Sequence, residues 1–199
     1  MNILLHICCA PCAIYPVEDL GKEGHQVAGF FYNPNIHPYS EYLRRKAEVE
    51  KYAKEAGLNV IYSDYDIEDY LQHIVYNEDL KKRCSVCWWL RMEKAAVFAK
   101  DNGFEAFTTT LLGSPYQDQG TIKKLGEDVA KKLGLKFYFK DFRIGFKEAH
   151  DKARSKGMYC QNYCGCVFSE KEKLEKKGQG TSQPRLKQTS GRGGRGPGK

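Results

Sequence analysis

Residues 1–12 read MNILLHICCAPC, an apolar run interrupted by His6 and closed directly by Cys8, Cys9 and Cys12. No basic segment precedes the run, and it is short, so it reads as a buried strand rather than a secretory signal. Working outward, residues 27–32, 60–62, 106–112 and 137–139 are further short runs of aliphatic, aromatic and Thr residues that suit strands. Helical patterns separate them. Ile122, Leu125, Val129 and Leu133 recur at helical spacing, with Lys123, Lys124, Glu127 and Lys131 facing away and Gly134 as the stop. Trp89, Met92, Ala96 and Ala99 form a second stripe ended by Gly103, and a third helix is expected from Ser40 as N-cap through Val49 and Ala53 to Gly57.

Strand and helix in alternation over residues 1–145 predict an α/β domain, a doubly wound parallel sheet with helices on both faces. In such sheets the functional crevice lies beyond the carboxyl ends of the strands, where the strand order reverses. The first four expected strands each run into chemically unusual residues: Cys8, Cys9 and Cys12; then Asn33, Pro34, Asn35 and His37; then Asp64 and Asp66; then Gly113, Ser114, Pro115 and Tyr116. After residue 145 the alternation stops. Residues 146–177 read as a small helical appendage carrying a cysteine turn, folded over that edge, and residues 178–199 as a disordered basic tail rich in Gly and Arg.

Composition bounds the class. The 199 residues are 41% hydrophobic and 29% charged, enough to bury a core without disulfide staples. Eight cysteines in such a chain therefore point to metal or redox chemistry in a reducing, cytoplasmic setting, and no stretch approaches the length of a membrane span. The net charge of +7 is carried wholly by residues 171–199, which leaves the body formally neutral. That basic stretch is either an electrostatic hold on a phosphate backbone or a solvating tail. Its GRGGRG fragment is no dinucleotide fingerprint, since no strand precedes it and no helix comes after it.

The cysteines fall into three knots. Cys9–Cys12 and Cys84–Cys87 have two residues between them, a spacing that turns both sulfurs toward one metal. Cys84 and Cys87 are expected in the first turn of a helix, where the dipole favours thiolate. Cys8 and Cys9 reach one centre only if the strand ends there, as Pro11 suggests. Two readings stand: a tetrahedral zinc on the two spaced pairs, or an iron–sulfur cluster on Cys8, Cys9, Cys84 and Cys87 with Cys12 as a spare or second-metal ligand. The wide separation of the pairs and the idle Cys8 weigh against zinc. Cys164 and Cys166, one residue apart, suit a strained, easily reduced disulfide that shuttles two electrons; with Cys160 they form the alternative of a separate zinc site. His6 is expected as a satisfied core residue and the tryptophans behind Cys87 as shielding. Tyr15, Tyr32, Tyr39 and Tyr116 fall on the crevice side, placed to stack on a nucleobase.

Five separated motifs, LLHICCAPC, FFYNPNIHPYSEYLRR, RCSVCWWLRMEKAA, FTTTLLGSPYQD and YCQNYCGCVFSE, occur in order over about residues 1–175. Together they resemble the cobalamin-independent epoxyqueuosine reductases, the QueH family. The resemblance implies a HUP-like, three-layer fold related to the PP-loop proteins, with cysteines where those carry a phosphate cradle, so ATP binding is not expected. It also implies an iron–sulfur cluster and reduction of epoxyqueuosine to queuosine at the wobble position of tRNA. On this reading a [4Fe–4S] cluster sits on Cys8, Cys9, Cys84 and Cys87, Cys12 is available to an adjacent mononuclear iron, and Cys164 and Cys166 are a redox pair. An electron donor completes the system, and Asp64, Asp66 and Asp118 are candidate proton donors. The rival readings are a zinc-stabilised tRNA-binding module and a tRNA sulfur-transfer enzyme on the same fold.

Overall fold

The computed structural model describes residues 1–178, apart from the side chains of Leu80 and Lys81; the expected tail beyond Gly178 lies outside the described residues. Five strands, β1 (Asn2–His6), β2 (Gln26–Phe31), β3 (Val60–Tyr62), β4 (Ala106–Thr109) and β5 (Lys136–Phe137), form one sheet in the order β3-β2-β1-β4-β5. Every pairing is parallel, with Leu4 of β1 in register with Ala28 of β2 and Phe107 of β4. β1 is thus central, which is why its apolar run is continuous rather than alternating: both faces are covered.

The helices are α1 (Ala10–Lys22), α2 (Tyr39–Ala56), α3 (Ile67–Ile74), α4 (Leu80–Asp101), α5 (Gln119–Leu133), α6 (Phe146–Ser155) and α7 (Val167–Gly178). Leu4, Phe30 and Phe107 pack with Met92, Ala96 and Ala99 of α4 and with Ile122 and Val129 of α5. Leu5, Ile7 and Phe31 pack with Ala13 and Ile14 of α1, Tyr42 and Val49 of α2, and Ala149 and Ala153 of α6. These two clusters make three layers, the doubly wound α/β architecture expected from the sequence. The chain winds outward from β1 in both directions, so the crevice between the β1 and β4 ends is the point where strand order reverses.

Several boundaries differ from the sequence reading, each for a local reason. The fourth strand ends at Thr109 and a 3-10 turn occupies Thr110–Gly113, because the Thr109 hydroxyl accepts the Leu111 amide and bends the chain. The last strand is Lys136–Phe137 instead of 137–139. α2 starts at Tyr39 with Pro38 as N-cap, so Ser40 lies inside the first turn; Gly57 closes the helix in the left-handed conformation as expected. α4 begins at Leu80, capped by the Asp79 carboxylate on the Lys82 amide, which places Cys84 and Cys87 beyond the first turn. The dipole argument for their thiolate form therefore fails.

Candidate metal and redox site

The ends of the three central strands are tied together by one imidazole. His6 Nε2–H donates to the Tyr32 carbonyl at 3.1 Å, which leaves Nδ1 to accept the Thr109 hydroxyl at 2.9 Å. Burial, with the charge of Arg91 adding to it, lowers the His6 pKa to about 4, so the ring is neutral at physiological pH. It is the satisfied core histidine the sequence suggested. One residue beyond the strand, Asn33 Nδ2 donates to the Ile7 carbonyl at 2.8 Å and stops the strand from continuing.

With the strand closed, the first cysteine knot folds onto itself. Cys9 is the N-cap of α1 in extended conformation, and Pro11 and Cys12 lie in the first turn. The sulfurs of Cys8, Cys9 and Cys12 lie within 4.8 Å of one another, those of Cys8 and Cys9 at 3.8 Å. Thr110 grips Cys8 twice, its hydroxyl accepting the Cys8 amide at 3.0 Å and donating to the Cys8 sulfur at 3.1 Å. Hydrogen bonds from Cys12 and Cys9 hold the Cys8 thiol well below its usual range, while its bond to Cys8 raises Cys12 and burial raises Cys9. Three thiols sharing one readily lost proton are a ready metal ligand set. The side-chain amide of Gln161, from the loop before α7, closes over them and donates to Cys9 Sγ at 2.7 Å.

Cys84 and Cys87 approach from α4. Burial raises the Cys84 thiol and pushes Cys87 up to about 11. Both are therefore neutral thiols even with the Arg91 guanidinium nearby, which corrects the expectation of intrinsic thiolates. Among the described residues the tight sulfur group is Cys8, Cys9 and Cys12, and it contains neither α4 cysteine. The two sets meet at Arg91, whose buried guanidinium interacts electrostatically with Cys87, Cys8 and Cys164.

The third knot is carried by a loop latched to α2. Arg45, 2% exposed, pairs with Glu41 at 2.8 Å and donates to the carbonyls of Cys164 at 3.0 Å and Tyr163 at 3.3 Å. Tyr159 donates to the same Glu41 carboxylate, the Tyr163 hydroxyl donates to the His37 carbonyl at 2.5 Å, and the His37 amide donates to the Gly165 carbonyl at 2.8 Å. Gly165 has φ +131, and a Cβ there would meet Ile36 Cγ1 at 3.0 Å, so glycine is required between the two cysteines. Cys164 is exposed and Cys166 buried, both free, with sulfurs 4.0 Å apart. The bond from Cys166 draws the Cys164 thiol below its usual range, and the same bond raises Cys166. On the far side Arg83 bonds Glu172 at 2.6 Å beneath the Phe168 ring, fixing α7 to α4.

Other expected site residues have structural employment. Asp66 and Asp118 are the N-caps of α3 and α5, bonded to the amides of Asp69 and Thr121, and Asp64 is exposed. Trp88 is buried, as expected of shielding, and bonds Gln117 at 2.8 Å. Tyr32 is buried in the core and Tyr15 half-buried against Phe142, whereas Tyr39 and Tyr116 are open, 54% and 84% exposed. Cys160 packs at the margin of the α1–α2–α6 cluster, and among the described residues it forms no close three-sulfur group with Cys164 and Cys166. Sequence reasoning missed Arg91, Arg45, Thr110 and Gln161. A signal existed for Arg91 alone, since it lies one helical turn after Cys87 and so shares its face.

The family described as epoxyqueuosine reductase QueH matches residues 3–172. A protein of Thermotoga maritima named epoxyqueuosine reductase QueH is 40% identical over 186 residues, covering 88% of this chain and 93% of its own length. One of Dehalococcoides mccartyi with the same name is 33% identical, with 88% and 96% covered. One of Helicobacter pylori is 38% identical over 90% of this chain, which spans about half (52%) of that longer protein.

Proposed function

Because the chain belongs to the epoxyqueuosine reductase QueH family, it is an oxidoreductase that reduces epoxyqueuosine to queuosine in tRNA, and we propose that it does so with a [4Fe–4S] cluster and a dithiol. The observation that carries this reading is the gathering of the cysteine knots on one edge of the sheet: three thiols within 4.8 Å, and two more on α4 that interact electrostatically with the same buried guanidinium. An all-sulfur donor set beside a buried positive charge suits an anionic iron–thiolate centre. Cys8, Cys9, Cys84 and Cys87 would hold the cluster, and Cys12, within the tight trio, is free to bind an adjacent mononuclear iron. When bound, such a centre supplies single-electron transfer and Lewis acidity at iron.

The rest of the reaction is set by the chain. Deoxygenating an epoxide forms a carbon–carbon double bond and one water, and consumes two electrons and two protons. Cys164 and Cys166 supply the electrons: one thiolate and one thiol become a disulfide, releasing two electrons and the proton of Cys166, and the second proton comes from solvent. The exposed Cys164, drawn toward thiolate by Cys166, is the sulfur presented to the substrate, and the buried Cys166 resolves it. Their sulfurs need only close from 4.0 Å to the S–S distance of about 2.05 Å. An external dithiol or electron carrier then returns the pair to thiols. Asp66 and Asp118 serve as caps, so of the three carboxylates the exposed Asp64 is the one left to relay the solvent proton. The substrate is a nucleotide of the anticodon loop, for which the open Tyr39 and Tyr116 offer stacking faces.

Anaerobic reconstitution tests both halves. Cys164→Ser retains iron and sulfide but loses turnover of tRNA bearing epoxyqueuosine, whereas Ala at Cys8, Cys9, Cys84 or Cys87 loses iron and sulfide. Iron in excess of sulfide that disappears in Cys12→Ala marks the mononuclear ion. A colourless protein with stoichiometric zinc sinks the cluster in favour of a zinc module.

A further inference from the structure

Arg91 is 4% exposed, yet among the described residues no carboxylate lies within ion-pair distance of it. The other buried arginines of the site are paired, Arg45 with Glu41 and Arg83 with Glu172. Arg91 has the carbonyl of Cys87, reached by Nε at 3.2 Å, which is a neutral partner for a fixed charge. A guanidinium keeps its proton at any physiological pH, so burial does not neutralise it. A buried charge without a counter-charge is far more costly than one hydrogen bond returns. The counter-charge must therefore come from what the groups around the guanidinium hold, and those groups are Cys87, Cys8 and Cys164, with His6 neutral beside them. Tyr70 adds a second sign of the same need. Its hydroxyl is buried with no hydrogen-bond partner among the described residues, in a side chain 1% exposed that interacts with Cys87, Cys166 and Cys164.

We propose that Arg91 is the counter-charge of the cysteine centre, a positioning residue that compensates the negative charge an iron–thiolate cluster brings into the interior. Geometry explains why it serves both knots. It lies on α4 one turn after Cys87 on the same face, and its guanidinium interacts electrostatically with Cys8 just beyond β1. It joins the two ligand sets that sequence separates by more than seventy residues. A positive charge held against the cluster stabilises its more negative, reduced form, so Arg91 raises the reduction potential. This inference rests on the reading of the cysteines as a metal centre.

The test compares Arg91→Gln, which removes the charge, with Arg91→Lys, which keeps it. After anaerobic reconstitution, iron and sulfide per chain are measured, and the midpoint potential is monitored by the visible absorbance. Arg91→Lys is expected to match wild type in content. Arg91→Gln is expected to lose iron and sulfide, or to retain a cluster whose potential is shifted downward. Wild-type content and potential in Arg91→Gln would overturn the proposal. Should Arg91→Gln not fold, a folded Arg91→Lys that binds neither iron nor sulfide would overturn it equally, because the charge is still there. If wild type itself takes up no iron or sulfide, the cluster reading fails and a different readout decides the role of Arg91. Cobalt(II) is then titrated into each protein and the thiolate-to-cobalt charge-transfer band recorded. Weaker binding in Arg91→Gln than in Arg91→Lys supports the counter-charge, and equal binding refutes it.

Discussion

His6 shows how much one side chain holds at this site. Its ring nitrogens bind the Tyr32 carbonyl and the Thr109 hydroxyl, so the β1, β2 and β4 ends, and the cysteines just after β1, share one anchor. The ring is neutral in the folded chain with a pKa of about 4, and titrates near 6.5 when unfolded. Between those values the unfolded chain binds the extra proton, so the contribution of His6 is fully present above pH 6.5 and is lost as pH falls to about 4. The difference amounts to about 3 kcal/mol. In urea unfolding of His6→Gln, stability should start lower and fall less between about pH 7 and about pH 4.5 than in wild type. Parallel pH curves for the two proteins would show that His6 does not carry this linkage.

At the scale of elements, the loop between α6 and α7 is held by α2 rather than by its own sequence. Its fastenings are the Arg45–Glu41 pair, Tyr159, Tyr163 and the His37–Gly165 backbone bond. Gly165→Ala forces a Cβ into a backbone with φ +131 and within 3.0 Å of Ile36, which is expected to cost about 1–3 kcal/mol locally. Amide hydrogen exchange should accelerate over residues 159–167 while the sheet keeps its protection, and turnover should drop as Cys164 and Cys166 lose their placement. Unchanged exchange in that loop would show that the latch does not depend on Gly165.

For the whole molecule, charge distribution governs how tRNA is met. The body through residue 170 is formally neutral, and the net +7 lies in residues 171–199. Few phosphates are then neutralised by the body, so recognition is expected to centre on the anticodon loop through the open aromatic faces. An anticodon stem-loop bearing epoxyqueuosine should turn over comparably with full-length tRNA, with a shallow dependence on salt. A stem-loop that stays unreduced while full tRNA reacts would place recognition elsewhere in the tRNA.

The order of strands and helices, the crevice edge and the three cysteine knots were legible in the sequence, because apolar periodicity and residue spacing are local properties of the chain. The run at residues 3–7 had to be buried on both faces, and Gly57 and Gly134 had to stop helices, whatever the tertiary arrangement. Element starts were less legible. Pro38 rather than Ser40 as the cap of α2, and Asp79 as the cap of α4, depend on which amides each residue reaches once the chain is folded. Only the tertiary structure decided the electrostatics: that the α4 cysteines stay outside the tight Cys8–Cys9–Cys12 group, that Asp66 and Asp118 are caps, that Arg45 holds the Cys164 loop, and that Arg91 is buried with no carboxylate beside it among the described residues. The physical reason is that a charge takes its meaning from solvent exclusion and from neighbours far away in sequence, and both are fixed only when the sheet brings the ends of β1, β2 and β4 side by side.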